Sequence, residues 1–245
     1  MRKLIVIFLI FLFCFSFHKI KAQENTISKE EMGTVFESTS NWFKNTPSYS
    51  LDVTHASFEN YTTDVPSDKI TGYFKKEGGN YHSFLMGIHT IQNKQYKIVV
   101  DTSEKIIMVA NPDQLTFISY TQEDYKVFLK NSTATRKIKT GRYTFYKVEL
   151  PEENPMSSYE LLVDEKGLLR EVKWYYNKEV KMDANDPESA VKPSMSISFS
   201  GYQESPVFNY AETFSEAPYF AQKDGKLQLA PAYMSFKLLD QRIRK

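Results

Sequence analysis

Residues 80–111 carry the clearest fold signal in this chain, and they read NYHSFLMGIHTIQNKQYKIVVDTSEKIIMVAN. β-Branched and aromatic residues dominate three runs in this stretch, and short polar segments separate them. We predict strands at Asn80–Gln92, Gln95–Asp101 and Lys105–Asn111. Asn93-Lys94 and residues 102–104 then form hairpin turns, and Asn111-Pro112 ends the series.

The same period-two pattern continues on both sides of this stretch. Before it, we predict strands at Tyr49–Asn60 and Lys69–Lys76. After it, we predict strands at Thr133–Thr140, Arg142–Leu150, Ser158–Asp164, Leu168–Tyr176 and Ser194–Gln203, a polar loop at Lys181–Pro193, an Asp224-Gly225 hairpin and a last strand at Ala232–Asp240. Consecutive strands joined by short turns form an antiparallel meander, and about ten strands in one meander must curl or close.

Two helices are predicted beside the strands. Ser28 and Glu31 form a capping box, and an apolar stripe at helical spacing follows it and ends before Pro47. The stripe consists of Met32, Val35, Phe36, Thr39 and Phe43. Thr121 and Asp124 form a second box-like pattern, which opens a short helical segment through Lys130.

The pattern therefore predicts a mainly β (α+β) protein. We expect a half-open antiparallel β-barrel of about eleven strands, with the N-terminal helix and a short plug helix on its concave side. Such a shape can enclose an apolar cavity, although the same residues would equally build a solid core. The candidate ligand-binding residues of the cavity are Phe36, Tyr96, Ile98, Val100, Phe145, Val172, Trp174, Ile197 and Phe199.

The first 22 residues have the layout of a secretory signal peptide. Arg2 and Lys3 precede an apolar run from Leu4 to Phe17, and Ala22 is the small residue before the cut. The run is shorter than the roughly 20 residues that span a bilayer. We predict a signal peptide at residues 1–22 and a mature chain at residues 23–245 without a transmembrane segment.

The chain's single cysteine and its charge narrow the function further. Cys14 lies inside the apolar run and follows Phe13, a large residue, so we predict that the protein is not a lipoprotein. The mature chain then has no cysteine, which excludes disulfides and thiolate chemistry. Loss of four basic residues with the signal leaves 27 basic against 30 acidic residues, a net charge of about −3. This charge does not favour nucleic acid as a partner.

Local motifs of catalysis and metal binding are missing from the sequence. There is no G-x-S-x-G, P-loop or H-E-x-x-H pattern. His82 and His89 are an odd number of residues apart on one predicted strand, so we expect them to face opposite sides. We predict no enzyme, no metal site and no cofactor.

Several stretches, taken in order, resemble the periplasmic outer-membrane lipoprotein carrier family of the LolA/LolB type. Residues 71–75 with 81–85 resemble the family's second and third strands, and Tyr96–Asp101 with Lys105–Val109 resemble its next hairpin, which ends at Asn111-Pro112. Residues 141–150 with Tyr159–Asp164 are similar to the later pair of strands, and Ser196–Ser200, followed by Asn209 and Phe214, to the closing strand. The resemblance covers Ser28 to Phe214.

The resemblance implies a function and a domain organisation. It implies one LolA-like β domain with a C-terminal extension at about residues 215–245. It also implies a periplasmic carrier or chaperone that holds a lipid, a lipoprotein acyl chain or another apolar ligand in the barrel. The family's early-strand arginine has no counterpart here, because the first arginine after Gln23 is Arg136. The alternative is a non-enzymatic subunit of an envelope or secretion complex, whose partner surface would be the aromatic residues of the tail.

Overall fold

The computed structural model describes residues 23–112, 125–127, 129–181 and 190–242. The predicted signal peptide, the Thr121–Asp124 box and the centre of the predicted 181–193 loop lie outside these residues. In the described part of the chain, no helix is both long and apolar enough to cross a membrane.

Helix α1 (Lys29–Asn45) begins where the capping box predicts. The Oγ atom of Ser28 accepts a hydrogen bond from the Glu31 amide at 3.0 Å. This bond satisfies one of the amides that a helix leaves unpaired at its start. Met32, Phe36, Thr39, Ser40 and Phe43 are the buried side of the helix.

Most of the remaining chain forms strands. They are β1 (Gln23–Thr26), β2 (Ser48–Phe58), β3 (Asp68–Glu77), β4 (Asn80–Leu85), β5 (Ile88–Gln92), β6 (Lys97–Asp101), β7 (Ile106–Ala110), β8 (Ala134–Thr140), β9 (Tyr143–Glu149), β10 (Met156–Asp164), β11 (Leu169–Tyr176), β12 (Val180–Lys181), β13 (Ala190–Val191), β14 (Ser194–Glu204), β15 (Phe220–Lys223), β16 (Lys226–Leu229) and β17 (Lys237–Asp240). Residues 125–127 and 129–131 are helical, and a one-turn helix α2 (Tyr210–Thr213) opens the tail.

Thirteen strands form one open sheet in the order β1-β8-β9-β10-β11-β14-β2-β3-β4-β5-β6-β7-β17. Every pairing in it is antiparallel except the last, where β17 runs parallel to β7. The mainly β class and the open antiparallel sheet are confirmed. The sheet has two strands more than the predicted eleven, because the N-terminal residues 23–26 pair with β8 and one predicted strand is divided in two.

The divided strand is Asn80–Gln92. It turns back at Met86-Gly87, so Leu85 pairs with Ile88 and the two halves become β4 and β5. His82 and His89 therefore lie on adjacent strands with 3.2 Å between His82 Nε2 and His89 Nδ1. The prediction that they face opposite sides is wrong, since it assumed one straight strand.

Two further predictions needed correction. The predicted loop at 181–193 includes a two-stranded pairing of β12 with β13 at its ends. The predicted last strand, Ala232–Asp240, is extended only at Lys237–Asp240, because a short 3-10 helix occupies Pro231–Tyr233. The predicted Asp224-Gly225 hairpin is present and joins β15 to β16.

The two faces of the sheet carry separate cores. α1 packs on the first face, which we call the helix face, over residues of β2–β4, β9–β11 and β14. The tail, residues 205–240, packs on the second face, which we call the tail face, over β5, β6 and β7. Tyr81 of the helix-face core pairs with Gln92, and the next residue, Ile91, belongs to the tail-face core. Since neighbouring residues of a strand point to opposite sides, the two cores lie on opposite faces.

Candidate apolar ligand site

The helix-face core is filled with aromatic side chains from α1 and the sheet. The Phe36 ring stacks on Tyr125 with 4.6 Å between centroids and on Tyr159 with 5.6 Å. Nearer the end of α1, Trp42 contacts Tyr49 and Tyr202 at centroid distances of 5.0 and 5.2 Å. Tyr125 and Leu129 of the helical segment at 125–131 are buried in the same core, so the predicted plug helix packs on the face that carries α1.

The end of α1 is fixed to the sheet by a buried lysine. Lys76 Nζ on β3 donates to the carbonyl oxygens of Phe43, Lys44 and Thr46 at 2.9, 2.9 and 3.0 Å. Burial lowers the pKa of Lys76 from its ordinary value. The carbonyl oxygens at a helix C-terminus favour a cation, which offsets part of that burial cost. The apolar stripe of α1 did not predict this contact with Lys76.

The structure separates the nine residues predicted to line a cavity. Phe36, Val172 and Phe199 are buried in the helix-face core, and Trp174 and Ile197 pack against it. Tyr96, Ile98 and Val100 are buried in the tail-face core. Phe145 lies on β9 next to Tyr146, which packs in the helix-face core, so it points to the other face. Alternation tells which residues of one strand share a side, but it does not tell which side meets the helix.

A strip of apolar residues on the helix face belongs to neither core. Val99, Met108 and Leu239 are cross-strand neighbours on β6, β7 and β17, and Thr90 on β5 continues the row. They are half-buried, and none of them packs in either of the two cores. The next row contains Ile88 and Ile106, one exposed and one half-buried. We call Ile88, Val99, Ile106, Met108 and Leu239 the open strip.

The open strip lies beside the helix-face core, on the part of the sheet that α1 does not cover. Leu85 packs against the helix-face core and pairs with Ile88, so apolar surface continues from one to the other. None of these five residues is among those predicted from the sequence. Their signal was present, because β6 and β7 read KIVVD and IIMVA, and runs that are apolar on both sides indicate strands with two covered faces.

Two pockets elsewhere include none of the nine predicted residues. One, of about 420 Å³, lies on the side of β9–β11 away from α1. Lys147 Nζ lies there 3.9 Å from Glu149 Oε1 and 3.7 Å from Glu160 Oε1, and Tyr175 Oη donates to Glu160 Oε2 at 3.0 Å. Burial, followed by the Glu160 charge, raises the pKa of Tyr175. These polar groups are satisfied by one another, which does not suit an apolar ligand.

The second pocket, of about 390 Å³, lies between α1 and the helical segment at 125–131. Its lining is rich in charge, and it consists of Lys29, Glu30, Gly33, Thr34, Glu37, Tyr125, Lys126, Leu129 and Lys130. Lys29 Nζ donates to the carbonyl oxygens of Lys130 and Ser132 at 3.2 and 2.9 Å, which ties the two segments together. Within the described ranges, no group of three or more His, Cys, Asp or Glu residues could hold a metal ion.

Comparison with solved structures finds distant likenesses. A DUF1329 family protein from Desulfovibrio piger aligns with 78% of this chain and 99% of its own, at 11% identity and a TM-score of 0.31. A LolA superfamily protein from Nitrosomonas europaea aligns with 78% of this chain and 99% of its own, at 11% identity and a TM-score of 0.30. An outer membrane lipoprotein-sorting protein domain from Vibrio parahaemolyticus aligns with 76% of this chain and 97% of its own, at 8% identity and a TM-score of 0.29.

No protein-family profile matches the chain, and no curated protein matches it. Two of these solved structures are described as a LolA superfamily protein and an outer membrane lipoprotein-sorting protein domain, the class of protein that the sequence resembles. Likenesses at this TM-score and identity say nothing about a ligand, so the site rests on the geometry of this chain.

Proposed function

We propose that the protein is a non-enzymatic carrier that binds the acyl chain of a lipid or lipoprotein along the open strip. The observation that carries this proposal is the row Val99, Met108 and Leu239, which is apolar, half-buried and part of neither core. Apolar surface of this kind on an otherwise well-packed domain is typical of a binding surface. We further propose that it works in the periplasm after its signal peptide is cleaved.

The size of the strip suits one extended apolar chain. Neighbouring strands lie about 4.8 Å apart, so the row across β5, β6, β7 and β17 spans roughly 14 Å. Each methylene group buried there contributes about 0.8 kcal/mol. Useful affinity would follow without any specific polar contact, in keeping with a sequence that has no catalytic motif.

The placement of the tail favours this carrier over a partner-binding subunit. The alternative needs aromatic residues of the tail at the surface. Most of them are not: Tyr219 and Phe220 are buried in the tail-face core, Tyr233 and Phe236 pack against it, and Tyr210 is 45% exposed. Five of the nine residues predicted from the sequence lie in or against the helix-face core, beside the open strip: Phe36, Val172, Trp174, Ile197 and Phe199.

Binding of a long-chain fatty acid by two strip variants tests the proposal. Val99→Glu and Met108→Glu place a charge in the path of the acyl chain, and desolvating a carboxylate is costly. We expect each to weaken binding of palmitate, measured by native mass spectrometry and calorimetry, by at least about tenfold, which corresponds to about 1.4 kcal/mol.

Val207→Glu is the matched control, because Val207 is an apolar residue that is 100% exposed in the tail. It should bind palmitate as the wild type does, and thermal unfolding should show that all three variants are folded. The proposal fails if the wild type binds no palmitate, or if Val207→Glu weakens binding as much as the strip variants do.

A further inference from the structure

A chain of titratable side chains on the tail face lies where the tail first meets the sheet. Tyr73 Oη is 3.2 Å from His82 Nε2, and the same nitrogen is 3.2 Å from His89 Nδ1. The three residues come from β3, β4 and β5, and the turn at Met86-Gly87 brings the two histidines together. His82 is only 8% exposed, and the ring of His89 lies 4.5 Å from that of Phe84.

The covering element is the start of the tail. The backbone of Thr213, the last residue of α2, lies beside the His82 ring, where it favours the charged form of the histidine. The next residue, Phe214, is fully buried, and its carbonyl oxygen accepts from Asn93 Nδ2 at 3.1 Å. His82 is therefore part of the surface against which residues 209–214 pack.

The surroundings of His82 oppose its charged form. Burial, then the neighbouring His89, then Lys75 on β3 lower the pKa of His82 to about 4, against the favourable effect of the Thr213 backbone. Burial lowers the pKa of His89 as well. In the tail, the Glu216 carboxylate accepts from Asn93 at 2.8 Å. Neither it nor Glu212 is among the groups that act on His82.

From this geometry we infer that the Tyr73–His82–His89 cluster is a pH-sensitive latch that holds residues 209–214 on the sheet at neutral pH and releases them in acid. Once residues 209–214 have detached from it, His82 has an ordinary pKa near 6.5. Below that pH the released state binds a proton that the docked state excludes, so docking weakens as the pH falls from about 6.5 towards 4.

Hydrogen exchange of the whole protein tests the latch. The amides of Glu212, Thr213 and Phe214 are bonded within residues 209–214 and report directly on its release. We expect their protection factors, corrected for the intrinsic effect of pH, to fall on the order of tenfold between pH 7.5 and 5. The paired amides of β2 and β14 should keep their protection, which excludes global unfolding.

Variants separate the latch from a merely structural contact. His82→Gln keeps a polar side chain of similar size beside Thr213 but does not titrate, so the pH dependence should vanish while protection at pH 7.5 remains. His55→Gln, which changes another histidine of the described chain, should behave as the wild type. A pH-independent wild type, or an unchanged pH response in His82→Gln, overturns the inference. If that variant does not fold, an NMR titration of the wild type decides, and a His82 midpoint near 6.5 would equally overturn the latch.

Discussion

Gly72 lies where β3 and β4 approach each other closely. It lies on β3 opposite the end of β4, and a Cβ atom at this position would overlap the carbonyl oxygen of Phe84 and lie 3.0 Å from its carbon. The obstacle is backbone, which cannot move aside as a flexible side chain can. Glycine is thus required here by space rather than by a turn.

We expect Gly72→Ala to lower the free energy of unfolding by more than about 3 kcal/mol, because the β3–β4 pairing must shift to admit the methyl group. Urea unfolding followed by circular dichroism measures the change. Gly79→Ala is the matched control, since nothing lies within 4 Å of a Cβ atom there. Equal stability of the two variants would show that β4 does not approach Gly72 as described.

Two residues also explain why one strand prediction from the sequence was wrong. The turn between β4 and β5 has Met86 at φ 55° and Gly87 at φ 79°. Two-residue hairpins with both φ values positive are signalled by Asn-Gly or Asp-Gly, and methionine in that position hides the turn. The strand was therefore predicted to run straight through, and the histidine pair was missed with it.

At the scale of elements, α1 was the most predictable part of the chain. Its capping box, apolar stripe and end before Pro47 are all local signals, and each agrees with the structure. Its attachment at the C-terminal end is not local, because Lys76 comes from β3, about thirty residues further on. Parallel pairing of β17 with β7 was equally hidden, since no short turn connects the two strands.

We expect Lys76→Met to destabilise the protein by about 2 kcal/mol, because the methionine fills the space but leaves one buried and two partly buried carbonyl oxygens without their lysine donor. Thermal and urea unfolding measure the loss. Lys69→Met changes an exposed lysine of the same strand and should have little effect. A wild-type stability for Lys76→Met would contradict the assigned role of the lysine in holding α1.

On the scale of the whole molecule, one sheet supports two different coverings. α1 covers the helix face of its central strands, and the tail covers the tail face of β5–β7. The sequence predicted the open β architecture because alternation and turns are short-range signals. It could not divide the apolar residues between two faces, since that depends on which segment packs on which side. Tyr96, Ile98 and Val100 were for this reason assigned to a ligand rather than to the tail.

Adjacent residues of β6 face different environments, which allows a direct test of ligand binding on the open strip. Val99 belongs to the open strip, whereas Ile98 and Val100 are fully buried in the tail-face core. The measurement is a methyl NMR titration of the Ile-, Leu-, Val- and Met-labelled protein with palmitate. We predict that Val99, Met108 and Leu239 shift while Ile98 and Val100 stay in place. Shifts centred on Ile98 and Val100, or no localised shifts at all, would contradict a ligand site on the helix face.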